Sequence, residues 1–162
     1  PRVFPSGNFL HMMRIMVIGP SGSGKTTLLH KLGLTEDNDV VRKTPSLRFF
    51  ERAIDTPGEF FDLPRFYHVL ITTSSRCAIT LLLVDPTNLK QFPSRFVRAI
   101  RSIVIGVINK ADLAKEDQME VARKILYEAG VMEVVCVSAL TGEGLTTLKY
   151  KIGQFIKLSG GV

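Results

Sequence analysis

Apolar runs alternate with helical patterns along the chain from Arg14 onward. Six runs are typical of strands, because they are short, rich in β-branched residues and mostly free of polar alternation. They read RIMVIG, SLRFF, RAID, AITLLLVD, SIVIGVIN and EVVCVSA. Strands of this kind are covered on both faces, so the pattern predicts a mostly parallel central sheet of about six strands flanked by helices.

Five segments between these runs have the periodicity of helices. They cover residues 25–34, 64–74, 93–101, 116–129 and 144–158. In the fourth, apolar residues from Met119 to Ala129 recur at helical spacing, and Gly130 provides a stop. In the last, an apolar stripe begins at Leu145 and ends at Ile156. The alternation predicts an α/β fold of three layers, with the sheet between two layers of helices.

The first twelve residues, PRVFPSGNFLHM, have no period and contain two prolines and a glycine. Because His-Met is also what a common cloning site encodes, residues 1–12 are expected to be a vector-derived or disordered leader. Residues 13–162 contain no internal repeat or linker, and they are expected to form a single domain.

Composition narrows the class of protein. Among 162 residues, 45% are hydrophobic and 22% are charged, which is typical of a globular protein and excludes a disordered chain. The net charge is +6, but the basic residues are spread over several elements, which favours solvated faces and an anionic ligand over a nucleic-acid partner. The longest apolar run is too short for a bilayer and no signal peptide is recognisable, so we expect a cytoplasmic protein without a membrane partner. Two cysteines are too few for a disulfide framework or a zinc site.

The stretch GPSGSGKT, residues 19–26, matches the pattern G-x-x-x-x-G-K-[ST] at every position, with a strand before it and a helix after it. Glycines let successive backbone N–H groups turn inward, and a helix N-terminus adds partial positive charge. The stretch therefore predicts a phosphate cradle, with Lys25 reaching the terminal phosphates and the Thr26 hydroxyl binding Mg²⁺. The predicted nucleotide-binding residues here are Gly19, Ser21, Gly22, Ser23, Gly24, Lys25, Thr26 and Thr27.

The stretch NKAD, residues 109–112, follows an apolar strand at the edge of the sheet where open α/β folds bind ligands. The Asp112 carboxylate can accept hydrogen bonds from the two neighbouring N–H donors of guanine, and adenine has no matching pair. Sites of this kind discriminate by about 10⁴ to 10⁵. Asn109 is predicted to brace the loops and the Lys110 stem to lie on the purine face. Taken alone, the stretch could equally be a helix N-cap.

A second polar stretch, VSALTGEG, again ends a buried strand. Ser138 and Ala139 are predicted to close over the guanine edge with Leu140, and the Ala139 N–H is suited to the O6 acceptor. The alternative is a simple turn that leads into the last helix.

The stretch IDTPGE supplies the candidates for the metal and the γ-phosphate. Asp55 can hold Mg²⁺ through water, and the Gly58 N–H can meet the γ-phosphate. Asp85 also ends an apolar strand, but no glycine follows it at the right spacing, so it is expected to cap a loop instead. Thr44 is predicted to complete the Mg²⁺ coordination from a polar loop, with Thr35 as the alternative.

With these segments in this order, the chain resembles the small Ras-like P-loop GTPases from Arg14 to Leu158. A narrower resemblance rests on RKT and on IDTPGEFFDLPRFYHVLITT, which look like the ethanolamine and propanediol utilisation GTPases, the EutP/PduV family. The resemblance implies GTP and GDP as ligands, Mg²⁺ as cofactor and a protein partner at a bacterial microcompartment.

If GTP is hydrolysed, the catalytic candidates are Lys25, Thr44 and Glu59, the last because it occupies the position directly after the D-x-x-G glycine. Glu59 would orient the attacking water, and since its carboxylate repels phosphate, the intrinsic turnover should be slow. We expect a GTP-dependent switch with slow GTPase activity. Two alternatives stay open: a phosphotransferase that passes phosphate to a small acid such as acetate, and a microcompartment docking module with little catalytic role.

Overall fold

The computed structural model describes residues 14–35, 40–43, 47–93 and 95–160, with the backbone alone for 40–43 and 158–160. Among these residues seven strands form one sheet in the order β2-β3-β4-β1-β5-β6-β7. The strands are β1 (Ile15–Ile18), β2 (Val40–Lys43), β3 (Arg48–Phe50), β4 (Ala53–Asp55), β5 (Ile79–Val84), β6 (Ile103–Ile108) and β7 (Glu133–Cys136).

The sheet is mostly parallel, as predicted. Strands β4, β1, β5, β6 and β7 pair in parallel, whereas β2 pairs antiparallel with β3 and β3 pairs antiparallel with β4. The predicted number of about six strands is one short, because Val40–Lys43 was assigned to a polar loop. This strand has four residues and lies at the edge of the described sheet beside β3, so its sequence carries little of the burial pattern that marks the inner strands.

Six α-helices occur in the described ranges. They are α1 (Lys25–Lys31), α2 (Gly58–Asp62), α3 (Tyr67–Ser74), α4 (Phe96–Ala99), α5 (Glu116–Ala129) and α6 (Leu145–Gly160). Helix α5 has the predicted bounds, and Gly130 ends it with a φ of 103°. Helix α2 was not predicted, and a single 3₁₀ turn (Pro64–Phe66) separates it from α3. Within the described residues, no helix is both long and apolar enough to cross a bilayer.

The core has two halves, one on each face of the sheet. On one face, side chains of α1 and α6 such as Leu28 and Leu148 pack on Val17 and Leu81. The other face is covered by residues of α2, α3, α4 and α5, including the fully buried Leu70. The three-layer arrangement predicted from the sequence is confirmed.

The parallel strands bring the candidate residues to one place. Strands β1, β4, β5 and β6 all run toward the same edge of the sheet, and each is followed there by a polar stretch identified in the sequence. β7 adds its own loop at this carboxyl edge. This is the edge at which open α/β sheets bind ligands.

Candidate functional site

The loop between β1 and α1 folds tightly around its own backbone. The hydroxyl and the N–H of Ser23 both donate to the Pro20 carbonyl, at 2.7 and 3.2 Å. Gly24 has a φ of 94°, a left-handed conformation that side chains rarely adopt, and it leads directly into α1. A Cβ at Gly24 would overlap the Asn109 side-chain nitrogen. The loop thus has the turn of a phosphate cradle at a helix N-terminus.

Lys25 begins α1 and is buried. Its ammonium donates to the carbonyls of Gly19 and Pro20, at 2.9 and 2.8 Å. Burial lowers the pKa of Lys25, while the nearby carboxylates of Asp55 and Asp62 oppose that shift. The positive charge of Lys25 is therefore held at the mouth of the loop, where a bound phosphate would lie.

The metal candidates Thr26 and Asp55 are in contact. The Thr26 hydroxyl donates to Asp55 Oδ2 at 2.7 Å, and Asp55 is buried at the end of β4. The other carboxylate oxygen, Oδ1, is buried and makes no hydrogen bond within the described part of the structure. A buried carboxylate oxygen without a partner is costly, and a hydroxyl beside a carboxylate is a donor set of the kind that Mg²⁺ prefers. These two residues fit a magnesium ion.

Helix α2 lies directly against the phosphate loop. A Cβ on Gly58 would overlap the Ser21 backbone, so only glycine allows this approach. Glu59, in the first turn of α2, is exposed. Asp62 at the end of the helix accepts a hydrogen bond from the Ser21 hydroxyl at 3.2 Å. The carboxylate that contacts the loop in this structure is that of Asp62, which the sequence analysis did not identify.

Asn109 joins three parts of the site. It follows β6 and is buried. Its side-chain nitrogen donates to the Ser23 carbonyl at 3.0 Å, and its oxygen accepts from the Ala139 N–H at 3.0 Å. The side chain thereby ties the phosphate loop to the loop after β7, which is the bracing arrangement expected from the sequence.

Lys110 has a φ of 56° and extends along the same edge. Its ammonium donates to the Gly22 carbonyl at 2.7 Å and to Asp85 Oδ2 at 2.8 Å. Asp85 also caps the turn after β5, as expected, because Oδ1 accepts from the N–H and the hydroxyl of Thr87. Burial would raise the pKa of Asp85, but the hydrogen bonds from Lys110 and Thr87 outweigh burial and hold that pKa below its usual range. Asp85 therefore also positions Lys110, a role that the sequence analysis missed.

The remaining residues predicted to bind the base lie around Asn109. Asp112 and Leu140 are exposed, so any desolvation of the Asp112 carboxylate must come from the ligand itself. Ser138 is buried, and its hydroxyl accepts from the Thr141 N–H at 3.1 Å. The Ala139 N–H, predicted to meet the guanine O6, donates to Asn109 in this structure.

The structure thus brings four of the five predicted segments together at one edge of the sheet. The fifth, Thr44, lies outside the described residues. Its sequence alternative, Thr35, is buried and follows α1. Thr27 is exposed in the first turn of α1. Two contacts could not be expected from any motif, namely Ser21 with Asp62 and Asp62 with Lys90.

Comparison with known proteins agrees with this arrangement. The profile of the PduV-EutP family, described as ethanolamine utilisation and propanediol utilisation, matches residues 12–154. The chain is 38% identical over 130 residues to "Probable acetate kinase EutP" of Salmonella typhimurium, covering 76% of this chain and 78% of that one. It is 31% identical over 135 residues to "Propanediol utilization protein PduV" of Citrobacter freundii, covering 83% and 89%.

A solved structure supports the fold. The bacterial selenocysteine-specific elongation factor EF-Sec superposes with a TM-score of 0.66 at 26% identity. The match covers 90% of this chain and 29% of the elongation factor, so it concerns one domain of a longer protein. The sheet order, the phosphate loop and these similarities together assign the P-loop GTPase fold. The chain belongs to the PduV-EutP family of ethanolamine and propanediol utilisation proteins.

Proposed function

We propose that the chain binds GTP and GDP with Mg²⁺, hydrolyses GTP slowly and serves as a nucleotide-dependent switch in ethanolamine or propanediol utilisation. The observation that carries the proposal is the pair of 3.0 Å hydrogen bonds made by Asn109, which connect the base candidates to the phosphate loop. A phosphate loop alone would suit any nucleoside triphosphate. The carboxylate of Asp112, three residues after Asn109, adds a group that can recognise guanine.

The phosphate end of the proposed site uses the first three segments. Lys25 would leave the Gly19 and Pro20 carbonyls for the terminal phosphates, while the backbone N–H groups of the loop hold the chain of phosphates. Thr26 and Asp55 would hold Mg²⁺, and the unpartnered Asp55 Oδ1 supports this assignment. A bound Mg²⁺ neutralises phosphate charge. Thr44 stays our candidate for completing the coordination.

The base end uses Asp112 as the acceptor for two guanine N–H groups and the Lys110 stem as a surface for the purine. The contacts of Lys110 with Gly22 and Asp85 support this position, because they stretch the side chain across the edge of the sheet. Ala139 would donate to the guanine O6 only after releasing Asn109. Ser138 supports the turn, and Leu140 covers the ligand from the solvent side.

Hydrolysis requires a water in line with the γ-phosphate and stabilisation of the charge that develops there. Glu59 is our candidate for orienting that water, and its exposed position in the first turn of α2 leaves it free to turn toward the loop. The negative charge of Glu59 opposes the approach, and we therefore expect slow turnover. Proteins of the microcompartment are the expected partners of the switch, by the family to which the chain belongs.

Calorimetric titration of the purified chain with GTP, GDP and ATP in the presence of Mg²⁺ tests the proposal. We expect GTP and GDP to bind and ATP to bind weaker by about 10⁴. Asp112→Ala should abolish this preference, whereas Asp117→Ala, an exposed aspartate at the start of α5, should leave it unchanged. Equal affinity for ATP and GTP, or no binding of either, would refute the proposal.

A second candidate function is suggested by the name of the Salmonella relative, "Probable acetate kinase EutP". In that reaction the terminal phosphoryl group passes from the nucleotide to a carboxylate oxygen of acetate, giving acetyl phosphate and a nucleoside diphosphate. Phosphorus NMR of the chain with GTP or ATP and acetate separates the two functions. The switch yields inorganic phosphate at a rate independent of acetate, and the kinase yields acetyl phosphate.

A further inference from the structure

A second lysine lies beside the phosphate loop. Asp62, at the end of α2, accepts from the Ser21 hydroxyl through Oδ2 at 3.2 Å and from the Lys90 ammonium through Oδ1 at 3.2 Å. Ser21 belongs to the phosphate loop, so one carboxylate connects this loop to a cation that comes from the segment after β5. The lysine lies in none of the predicted binding motifs.

The position of Lys90 is fixed by its neighbours. Leu89 and Phe92 pack against the core on the α2 side of the sheet. The ring of Phe92 meets the buried Phe61 of α2 edge to face, with 4.9 Å between ring centroids. Aromatic pairs of this geometry are stabilising beyond the area that they bury. The segment that carries Lys90 is therefore anchored to the same helix that carries Asp62.

The ion pair itself is weak enough to be exchanged. The side chains of Lys90 and Asp62 are 40% and 28% exposed, and ion pairs in contact with water contribute little to stability. A nucleotide phosphate is a more highly charged acceptor than one carboxylate. Lys90 is also close enough for its charge to lower the pKa of Lys25, although burial is the larger cause. Lys25 and Asp62 thus contact the phosphate loop, where the terminal phosphate is proposed to bind, and Lys90 is paired with Asp62.

We propose that Lys90 is a further phosphate-binding residue, held beside the phosphate loop by Asp62 and transferred to the terminal phosphate of a bound nucleoside triphosphate. This inference rests on the proposed function, because it requires a nucleotide in the cradle. Asp62 then competes with the γ-phosphate for both Ser21 and Lys90. Such a residue distinguishes the triphosphate from the diphosphate, since only the triphosphate extends to it.

Dissociation constants for GTP and GDP, measured with Mg²⁺ for four variants, test the inference. Lys90→Met should weaken GTP binding about tenfold and leave GDP binding within about twofold, because one charge-assisted contact is lost from the triphosphate alone. Lys90→Arg should retain most of the GTP affinity. Asp62→Asn should strengthen GTP binding, because a competing carboxylate is removed. Lys124→Met, which removes an exposed lysine paired with Glu128 on α5, is the matched control and should change neither constant.

The double variant separates phosphate binding from a merely structural pair. If Lys90 contacts the phosphate, Lys90→Met still weakens GTP binding about tenfold when Asp62 is already Asn. If Lys90 only neutralises the charge of Asp62, Lys90→Met has no effect on GTP binding in the Asp62→Asn variant, and the inference is overturned. Far-UV circular dichroism and melting curves of each variant verify that it is folded. Wild-type chain that binds no GTP would overturn both this inference and the proposed function, whereas tight binding without any effect of Lys90 would overturn the inference alone.

Discussion

Removing the side chain of Asn109 should weaken the whole protein as well as its binding site. In Asn109→Ala, the Ser23 carbonyl loses its donor and the Ala139 N–H loses its acceptor. Ser23 and Ala139 are buried, at 1% and 3% exposure, so water cannot replace the amide without rearrangement of both loops.

The size of the effect follows from these two contacts. A buried polar group left without a partner costs about 1–3 kcal/mol. Because losses above about 4–5 kcal/mol are exceptional for a single substitution, the two groups together predict a loss of about 2–4 kcal/mol in the free energy of unfolding. For a chain of this size, that loss corresponds to about 4–16 °C in melting temperature. Typical domains are stable by about 5–15 kcal/mol, and the variant should therefore still fold.

Urea denaturation of the nucleotide-free protein measures this loss. Far-UV circular dichroism is the suitable signal, because the chain contains no tryptophan. The midpoint should fall while the slope stays constant. Asn88→Ala, at an exposed position in the turn after β5, serves as the control and should change the stability by less than about 0.5 kcal/mol. If Asn109→Ala costs no more than this control, the two loops are not held together by Asn109 and our account of the site is wrong.

Three further predictions concern Asp85, Glu59 and the two cysteines. Asp85→Asn should destabilise the protein by about 2 kcal/mol at pH 7, because the Lys110 ammonium loses an ionised partner. Folding lowers the pKa of Asp85. Its contribution to stability is therefore present above the usual value of 3.8 and is lost as the pH falls through the lower folded value. The urea midpoints of wild type and variant should accordingly converge in acid. Glu59→Ala should slow GTP hydrolysis in single-turnover measurements without changing GTP affinity, and unchanged turnover would remove its proposed role. Burial raises the pKa of Cys77 to about 12. Iodoacetamide at neutral pH should therefore label the half-buried Cys136 and spare Cys77 until the protein unfolds. Peptide mass spectrometry measures the labelling of each cysteine.

The periodicity of hydrophobic residues predicted the helices that are buried on one side and the strands that are buried on both. Helix α5 was predicted with its exact bounds because its apolar residues face one side of the sheet and a left-handed glycine ends it. Two elements were missed. The strand β2 has two basic residues among its four, unlike the wholly apolar β1 of the same length, and the helix α2 has only five residues, too few for a helical period. The position of α2 depends on a neighbour that is distant in sequence, the phosphate loop.

The candidate site was predictable to the extent that its chemistry lies in continuous motifs. The phosphate loop and the stretch 109–112 carry their own spacing, and their neighbourhood follows from parallel strands that end at one edge. Apart from the bracing by Asn109, contacts between motifs were not predictable. Lys90, Asp62 and the second role of Asp85 depend on which side chains the loops present to one another, and no local pattern encodes that.

The parallel sheet also separates two ends of the molecule. Met132 immediately precedes β7, at the end of the sheet opposite to the cradle, and it is 89% exposed. The four residues of β7 span about 13 Å, so the attachment point of a chemical tag or a tether at Met132 would stay at least that far from a bound nucleotide. A chain immobilised through this end would present its cradle outward, and the occupancy of the cradle could be followed on a sensor surface without steric interference.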